Sequence, residues 1–190
     1  MGDATTNRQG GLLQAARSCL VCVDVQERLL PAMAEPETVV ANGRVLLQAA
    51  SRLGVPVLAT EQYPKGLGRI VENLMELVPE DSVVEKVEFS CAANPEFHER
   101  LLNLERPQVV LFGIEAHVCV LQTALGLEAA GLAPYVVADA VSSRAAENRD
   151  LALGRLARAG VEAVSTEMVV FEWLGKAGTA DFKALAALIK

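Results

Sequence analysis

The sequence VVLFGIEAHVCV, residues 109–120, decides the fold. It contains a short apolar run that ends at Gly113, and six residues later Cys119 begins a second apolar segment. An apolar run of this length that ends at a glycine is typical of a buried central strand in a parallel sheet. Apolar residues then recur at helical spacing from Val120 to Ala130, and Gly131 follows, which indicates a helix that ends there. The pattern therefore places Cys119 near the N-terminus of a helix, at the carboxyl end of a strand.

That position gives Cys119 two interpretations. Free backbone amides and the positive end of a helix dipole favour a reactive thiolate. Cysteine is also among the residue types most often buried, so a small apolar side chain without chemistry is an equal alternative for this stretch alone.

The same alternation of strand and helix runs through the rest of the chain. It predicts an α/β fold with three layers (α/β/α), in which a six-stranded, mainly parallel, Rossmann-like sheet has helices on both faces. The predicted domain covers residues 18–190 and follows a lead-in over residues 1–17. The predicted strands are 19–25, 56–60, 82–85, 108–113, 134–138 and 161–165, and the predicted helices are 38–53, 70–78, 95–104, 120–130, 148–159, 181–190 and one that follows the N-cap Thr166.

The composition is that of a globular protein with little affinity for polyanions. The 190 residues are 52% hydrophobic and 22% charged, and the formal net charge is −7. No dense basic run occurs, so nucleic acid and anionic membranes are not expected as partners. No apolar stretch reaches the roughly 18 residues that a transmembrane helix needs. Residues 1–6 match a myristoylation pattern loosely and residues 5–18 resemble a transit peptide faintly, but both patterns are frequent by chance.

The cysteines and histidines offer little material for a disulfide or a metal. Cys19 and Cys22 have the spacing of a redox pair, but residues three apart in a strand point to opposite faces. Only His98 and His117 are available, so neither a zinc site nor another cofactor is expected. Reduced thiols in a cytoplasmic protein are the simplest interpretation of the four cysteines.

Three residues that can do chemistry follow three different strands. Asp24, Lys86 and Cys119 come at the ends of the first, third and fourth predicted strands. Ligands of such sheets bind outside the carboxyl ends of the strands, so these side chains are expected to converge on one crevice. Each has a structural alternative, for example a solvated lysine that leaves a strand, but their convergence favours function.

An acid, a lysine and a thiol at one edge suggest nucleophilic catalysis. A carboxylate can take the proton of a cysteine that attacks an acyl carbon, and a lysine can keep that carboxylate ionised. Backbone amides between Glu115 and Cys119 can receive the oxyanion. The expected chemistry is acyl transfer to water through a thioester.

Several motifs make a resemblance to a known family specific. VDVQ at 23–26, EKVEFS at 85–90 and GIEAHVCV at 113–120 resemble the signatures of the isochorismatase-like cysteine hydrolases. TEQYPKGLG at 60–68 and DAVSSR at 139–144 are similar to the isochorismatase-domain-containing subgroup. The resemblance covers residues 19–165 and implies the isochorismatase-like hydrolase fold.

The resemblance also implies roles for the residues at matching positions. Asp24 is then the general base, Lys86 the residue that orients and stabilises it, and Cys119 the nucleophile. The amides of Glu115 and Cys119 form the oxyanion hole, with a cis peptide between Ile114 and Glu115. The implied substrate is a small amide, carbamoyl compound or ester, and family members associate through apolar helix faces, so a homo-oligomer is expected.

Two departures narrow the function within the family. Nicotinamidases resemble this chain but carry an Asp-x-His metal cluster where this chain has Glu61-Gln-Tyr-Pro64. Isochorismatase proper lacks the cysteine, so Cys119 argues against cleavage of a vinyl ether. Neither departure names the substrate.

Other interpretations stay open. The candidates for the wall of a substrate pocket are Gln62, Tyr63, Phe89 and His117, on placement alone. His117 could serve as the base in place of Asp24. A silent ligand-binding or redox-sensing protein on the same fold is the alternative function, and a nucleotide-binding protein fits worst because no full glycine fingerprint is present.

Overall fold

The computed structural model describes residues 11–189, which form one six-stranded sheet with helices on both faces. The strand order is β3-β2-β1-β4-β5-β6, and every pairing between these strands is parallel. The predicted α/β class is confirmed. The strands are β1 Ser18–Val23, β2 Val57–Gln62, β3 Val83–Lys86, β4 Gln108–Ile114, β5 Ala133–Ser142 and β6 Glu162–Val164.

Eight α-helices are described, and a π-helical turn at Ala116–Val120 joins β4 to the fifth of them. None of these described helices is long and apolar enough to cross a membrane. The helices are α1 Pro36–Leu53, α2 Pro64–Leu67, α3 Glu72–Met75, α4 Pro95–Asn103, α5 Leu121–Ala129, α6 Ala146–Arg158, α7 Thr166–Leu174 and α8 Ala180–Ala186.

Two hydrophobic cores lie on opposite faces of the sheet. One contains residues of α1, α3, α7 and α8, and the other contains residues of α4, α5 and α6. Strand β1 supplies both cores alternately, because successive side chains of a strand point to opposite faces. Cys22 lies in the first core and Cys19 in the second, as their spacing in a strand predicts.

The strand order produces a crevice between β1 and β4. The chain builds outward from β1 through β2 to β3, and then returns to place β4 on the other side of β1. Such a reversal of strand order is where ligands bind in open α/β sheets. Asp24 follows β1 and the turn Ala116–Val120 follows β4, so both lie at this point.

Strand β2 continues two residues past its predicted end. Glu61 and Gln62 were expected in a loop but belong to the strand, since their polar groups find partners from elsewhere. The Gln62 amide N–H donates to Gln26 Oε1 at 2.7 Å, and the Ile70 N–H donates to Glu61 Oε1 at 2.8 Å.

Strand β5 also extends further than predicted, into the expected loop 139–144. Asp139 is accommodated because its Oδ1 accepts bonds from both N and Oγ1 of Thr166. Thr166 is therefore the first residue of α7 and not its N-cap as predicted. Ser165 is the N-cap, and its Oγ accepts from the N–H of Met168.

Two predicted helices are shorter than expected. The segment 70–78 is helical only at Glu72–Met75, since Ile70 is held by Glu61 and by a bridge to Gln26. The last helix covers Ala180–Ala186 instead of 181–190.

The predicted lead-in falls partly outside the described residues, because residues 1–10 lie there. Its remainder packs on the domain: Leu13 is fully buried, and its N–H donates to Glu172 Oε2 at 2.7 Å.

Gly113 is the glycine that β4 requires. Its φ is +127°, and a Cβ there would lie 2.1 Å from the carbonyl oxygen of Val23 in β1. The register between β4 and β5 also shifts between Leu111 and Gly113. A side chain at this point would push β4 away from β1, at the crevice itself.

We expect Gly113→Ala to lower the free energy of unfolding by about 3–5 kcal/mol, because backbone strain and a steric clash add. Gly131→Ala is the matched control: its φ is +82° but no atom lies within 4 Å of the added Cβ, so only strain of about 1–2 kcal/mol remains. Chemical denaturation of both variants measures the difference. Equal losses would contradict the steric role of Gly113.

Candidate active site

Asp24 and Lys86 form a fully buried ion pair at the carboxyl edge of the sheet. Asp24 follows β1 with a φ of 52°, a left-handed conformation that non-glycine residues seldom adopt. Lys86 ends β3, two strands away, and its Nζ lies 2.6 Å from Asp24 Oδ2. Neither side chain is exposed to solvent. Lys86 thus reaches past the end of β2 to meet Asp24.

The remaining polar atoms of this ion pair also have partners. Lys86 Nζ donates to Gln62 Oε1 at 2.7 Å and to the Glu88 carbonyl at 3.2 Å. The hydroxyl of Thr60 donates to Asp24 Oδ1 at 2.7 Å. Burial opposes the ammonium form and is the largest single effect, but the Asp24 carboxylate together with Cys91 and Cys119 outweighs it, and the pKa of Lys86 is raised above its usual value. Lys86 therefore stays charged at neutral pH.

Cys119 lies in the turn Ala116–Val120, beside this pair, and is only 5% exposed. Burial raises the pKa of its thiol, and the charge of Asp24 raises it further, while Lys86 lowers it. A hydrogen bond between the thiol and Asp24 adds to the increase in pKa. Of the two interpretations of Cys119, this pKa favours a buried thiol over a thiolate, because desolvation and the neighbouring carboxylate raise the pKa more than Lys86 lowers it. The raised pKa favours the thiol form of Cys119 at neutral pH, beside the carboxyl group of Asp24.

The segment before Cys119 is fixed by the loop after β5. The peptide between Ile114 and Glu115 is cis. The backbone N–H and the Nε of Arg144 both donate to Glu115 Oε2, at 3.0 and 3.1 Å. These two bonds hold the residue whose amide is the expected oxyanion donor.

The four expected pocket residues take different positions. Gln62 is buried, and its Nε2 donates to the Val87 carbonyl at 2.9 Å while its Oε1 accepts from the lysine. Tyr63 and Phe89 are 55% and 54% exposed, and only their backbones bond to Lys86. The Tyr63 N–H donates to the Lys86 carbonyl, and the Phe89 carbonyl accepts from Lys86 Nζ. His117 Nδ1 lies 2.9 Å from Ser143 Oγ. Gln62 thus belongs to the buried network, and Tyr63 and Phe89 lie at the surface.

Three residues of the network were not selected from the sequence, namely Gln26, Thr60 and Cys91. Gln26 Nε2 donates to the carbonyls of Gln62 and Gly68, and Cys91 Sγ lies 3.6 Å from Thr60 Oγ1. Gln26 and Thr60 lie inside the quoted motifs, and a polar residue at the end of a buried strand is the signal that could have identified them.

No group of three or more histidine, cysteine, aspartate or glutamate side chains within residues 11–189 is placed to hold a metal ion. A cavity of about 450 Å³ lies elsewhere, lined by Leu12, Met168 and Phe171 among others, and contains none of Asp24, Lys86 and Cys119. The titratable groups at the sheet edge, and not this cavity, form the candidate site.

Comparisons with known proteins agree on one family. A family model for the isochorismatase domain matches residues 18–168. Isochorismatase domain-containing protein 1 of Danio rerio is 41% identical over 181 residues, which are 95% of this chain and 63% of that protein. The secreted isochorismatase effector Isc1 of Phytophthora sojae is 39% identical over 194 residues, 99% of this chain and 91% of the effector.

Two solved structures are similar throughout. That of the MAR1 ribonuclease from Caenorhabditis elegans has a TM-score of 0.88 at 35% identity and covers 94% of this chain and 92% of its own. The YcaC gene product of Escherichia coli, described as an octameric hydrolase of unknown specificity, has a TM-score of 0.88 at 22% identity, with 93% and 90% covered. The second comparison bears on the fold alone.

We expect the free energy of unfolding to fall as the pH rises above about 9. Burial raises the pKa of Cys19 to about 12 and that of Cys91 to about 11, and those of Cys22 and Cys119 are also raised from 9.0. The unfolded chain then loses thiol protons that the folded chain keeps, so unfolding becomes more favourable. Denaturation in the presence of a reductant, from pH 7.5 to 10.5, measures the slope.

Cys19→Ala is the control for this pH dependence. Loss of one such thiol makes the slope shallower by up to about 1.4 kcal/mol per pH unit above pH 9. A free energy of unfolding that is constant or rises over this range would contradict the burial of these thiols.

Proposed function

The chain belongs to the isochorismatase family, and from this premise we propose that it is a cysteine-dependent hydrolase with Cys119 as the nucleophile. The family and the fold support hydrolysis. The finer proposal is that Asp24 is the general base, that Lys86 keeps Asp24 ionised and oriented, and that a thioester forms on the enzyme.

One observation carries this proposal: Asp24, whose carboxylate raises the pKa of the Cys119 thiol, is held by the buried Lys86 at 2.6 Å. A thiol with a raised pKa is a poor nucleophile by itself. It becomes one when a base takes its proton as the new bond forms. Asp24 is placed for this transfer, and Lys86 stabilises the charge before and after it.

The first half of the reaction acylates Cys119. The thiol proton passes to Asp24 as Sγ bonds to the carbonyl carbon of the substrate, and the carbonyl oxygen becomes an oxyanion. The amides of Glu115 and Cys119 are the proposed donors to that oxyanion, each worth about 3–4 kcal/mol by analogy with similar sites. The carbon–nitrogen or carbon–oxygen bond then breaks, and the proton on Asp24 passes to the leaving group.

The second half releases the acid. Asp24, again ionised, takes a proton from water as the water oxygen attacks the thioester carbon. The bond from carbon to sulfur breaks, and Cys119 recovers its proton from Asp24. One water is consumed, and the acid and the amine or alcohol are the products.

Burial supports a small substrate. Asp24 is fully buried and Cys119 is 5% exposed, so a polymer cannot approach the sulfur without rearrangement of the loops. Small amides, carbamoyl compounds and esters all present the required acyl carbon. RNA belongs among the test compounds because one of the similar structures is that of a MAR1 ribonuclease, but the net charge of −7 does not favour the binding of RNA.

A homo-oligomer in the cytoplasm completes the proposal. Leu102 and Leu151 are exposed by 52% and 69%, and such apolar side chains are available to a second copy of the chain. All four cysteines are free, which fits a reducing compartment. The oomycete relative is by name a secreted protein, so its location differs from the one proposed here.

The test is intact-mass spectrometry and turnover with a pool of small amides, carbamoyl compounds and esters, alongside a structured RNA. We expect a substrate-dependent acyl adduct on the wild type and none on Cys119→Ser. Asp24→Asn should lower turnover by at least about 100-fold, since general-base catalysis contributes roughly 10²–10⁴-fold.

His117→Ala is the matched control for the base, and we expect it to retain turnover within about tenfold of the wild type. Loss of turnover in His117→Ala with activity kept in Asp24→Asn would make His117 the base. Reversible thiol oxidation with no turnover or adduct in the pool would favour a redox or binding role, and RNA cleavage that survives Cys119→Ser would contradict the proposal.

A further inference from the structure

Thr60 holds the one oxygen of Asp24 that Lys86 does not. Its Oγ1 lies 2.7 Å from Asp24 Oδ1, whereas Lys86 Nζ lies 2.6 Å from Oδ2. The backbone adds a third hydrogen bond, in which the Asp24 N–H donates to the Thr60 carbonyl at 3.2 Å. Two donors on neighbouring strands therefore fix the rotation of the carboxylate.

The direction of the Thr60 hydrogen bond follows from its neighbours. An ionised carboxylate only accepts, so the single hydroxyl proton of Thr60 points to Asp24. Cys91 Sγ lies 3.6 Å from the same hydroxyl oxygen and must then be the donor in that contact. Burial raises the pKa of Cys91 to about 11, so its thiol keeps the proton that this requires at neutral pH.

Cys91 is itself held by the helix that follows the nucleophile. Its backbone N–H donates to Thr123 Oγ1 at 2.9 Å, and Thr123 lies in α5, fully buried. A chain of bonds thus runs from α5 through Cys91 and Thr60 to Asp24. Thr123 fixes the backbone of Cys91, and the thiol of Cys91, by donating to Thr60, strengthens the bond from the Thr60 hydroxyl to Asp24.

We propose that Thr60, oriented by Cys91, is a positioning residue that presents the ionised carboxylate of Asp24 to the Cys119 thiol. The inference rests on the proposed function, since it assigns to Thr60 an effect on the base. Thr60 acts through Asp24 and does not touch the substrate. Its hydrogen bond favours the charged carboxylate over the protonated one, so Asp24 resists protonation as the pH falls.

The other titratable groups that face Asp24 do not change charge between pH 5 and 8. Lys86 approaches it from β3, Cys22 from β1, Cys91 from the turn before α4 and Cys119 from the turn before α5. The pKa values of all four are raised, so the lysine stays charged and the thiols stay neutral. His117 lies two residues from Cys119, so all rates are compared in the His117→Ala background, where a change in the reactivity of Cys119 over this range reports proton binding by Asp24.

The test uses iodoacetamide as a probe, because no substrate is needed. Its methylene carbon bonds to Cys119 Sγ, iodide leaves, and the thiol proton passes to Asp24 and then to water. The rate is followed by intact mass from pH 5 to 8. We expect the pH at which the rate falls to lie about 1–2 units higher in Thr60→Val than in the wild type, because a hydrogen bond to a charged group is lost.

Thr60→Ser is the matched control, since it restores the hydroxyl and should restore the rate and the pH at which it falls. Cys91→Ala should shift the acid limb, that is, the fall in rate at low pH, in the same direction as Thr60→Val but by less. This variant replaces Thr60→Val in the test if the valine variant does not fold. An acid limb unchanged in both Thr60→Val and Cys91→Ala, whatever happens to the melting temperature, would overturn the inference.

Asp24→Asn separates this inference from the proposed function. In that variant the acid limb should disappear altogether. If it persists, Asp24 is not the base and the proposed function fails. If it disappears while Thr60→Val behaves as the wild type, only the role of Thr60 is wrong.

Discussion

The buried ion pair of Asp24 and Lys86 is the constraint on which the site depends. Removing two charges from water costs several kcal/mol for each ion, and mutual attraction offsets this only when the remaining polar atoms are also satisfied. Thr60 and Gln62 supply those partners here. Because an apolar pair of similar volume is often at least as stable, stability alone does not account for the charges. In the proposed mechanism, their effect on the neighbouring thiol accounts for them.

The register of the sheet brings these residues together. Val23 pairs with Thr60 across β1 and β2, and Gln62 pairs with Lys86 across β2 and β3. The residue after Val23 is thereby set beside Thr60 and within reach of Lys86. On the other side of β1, Gly113 allows a backbone approach that no side chain would permit. The site is thus a consequence of parallel pairing on both sides of β1.

Local patterns in the sequence predicted the fold and the positions of Asp24, Lys86 and Cys119, because alternating strands and helices place strand ends at one edge. They failed where a residue depends on a distant partner. Gln62 and Asp139 were read as loop residues since the sequence does not reveal the groups from Gln26 and Thr166 that satisfy them. The sequence left the protonation of Cys119 open for the same reason, because desolvation and a carboxylate brought by another strand raise its pKa.

Proton transfer from the Cys119 thiol to Asp24 is tested most simply by the ultraviolet absorbance of the thiolate, taken as the wild type minus Cys119→Ala across neutral pH. We expect no thiolate absorbance at neutral pH, because in the proposed mechanism Cys119 gives up its proton to Asp24 only as it attacks. A thiolate signal from Cys119 at pH 7 would contradict it, since the resting site would then hold a preformed thiolate and lysine pair and Asp24 would not be needed as the base.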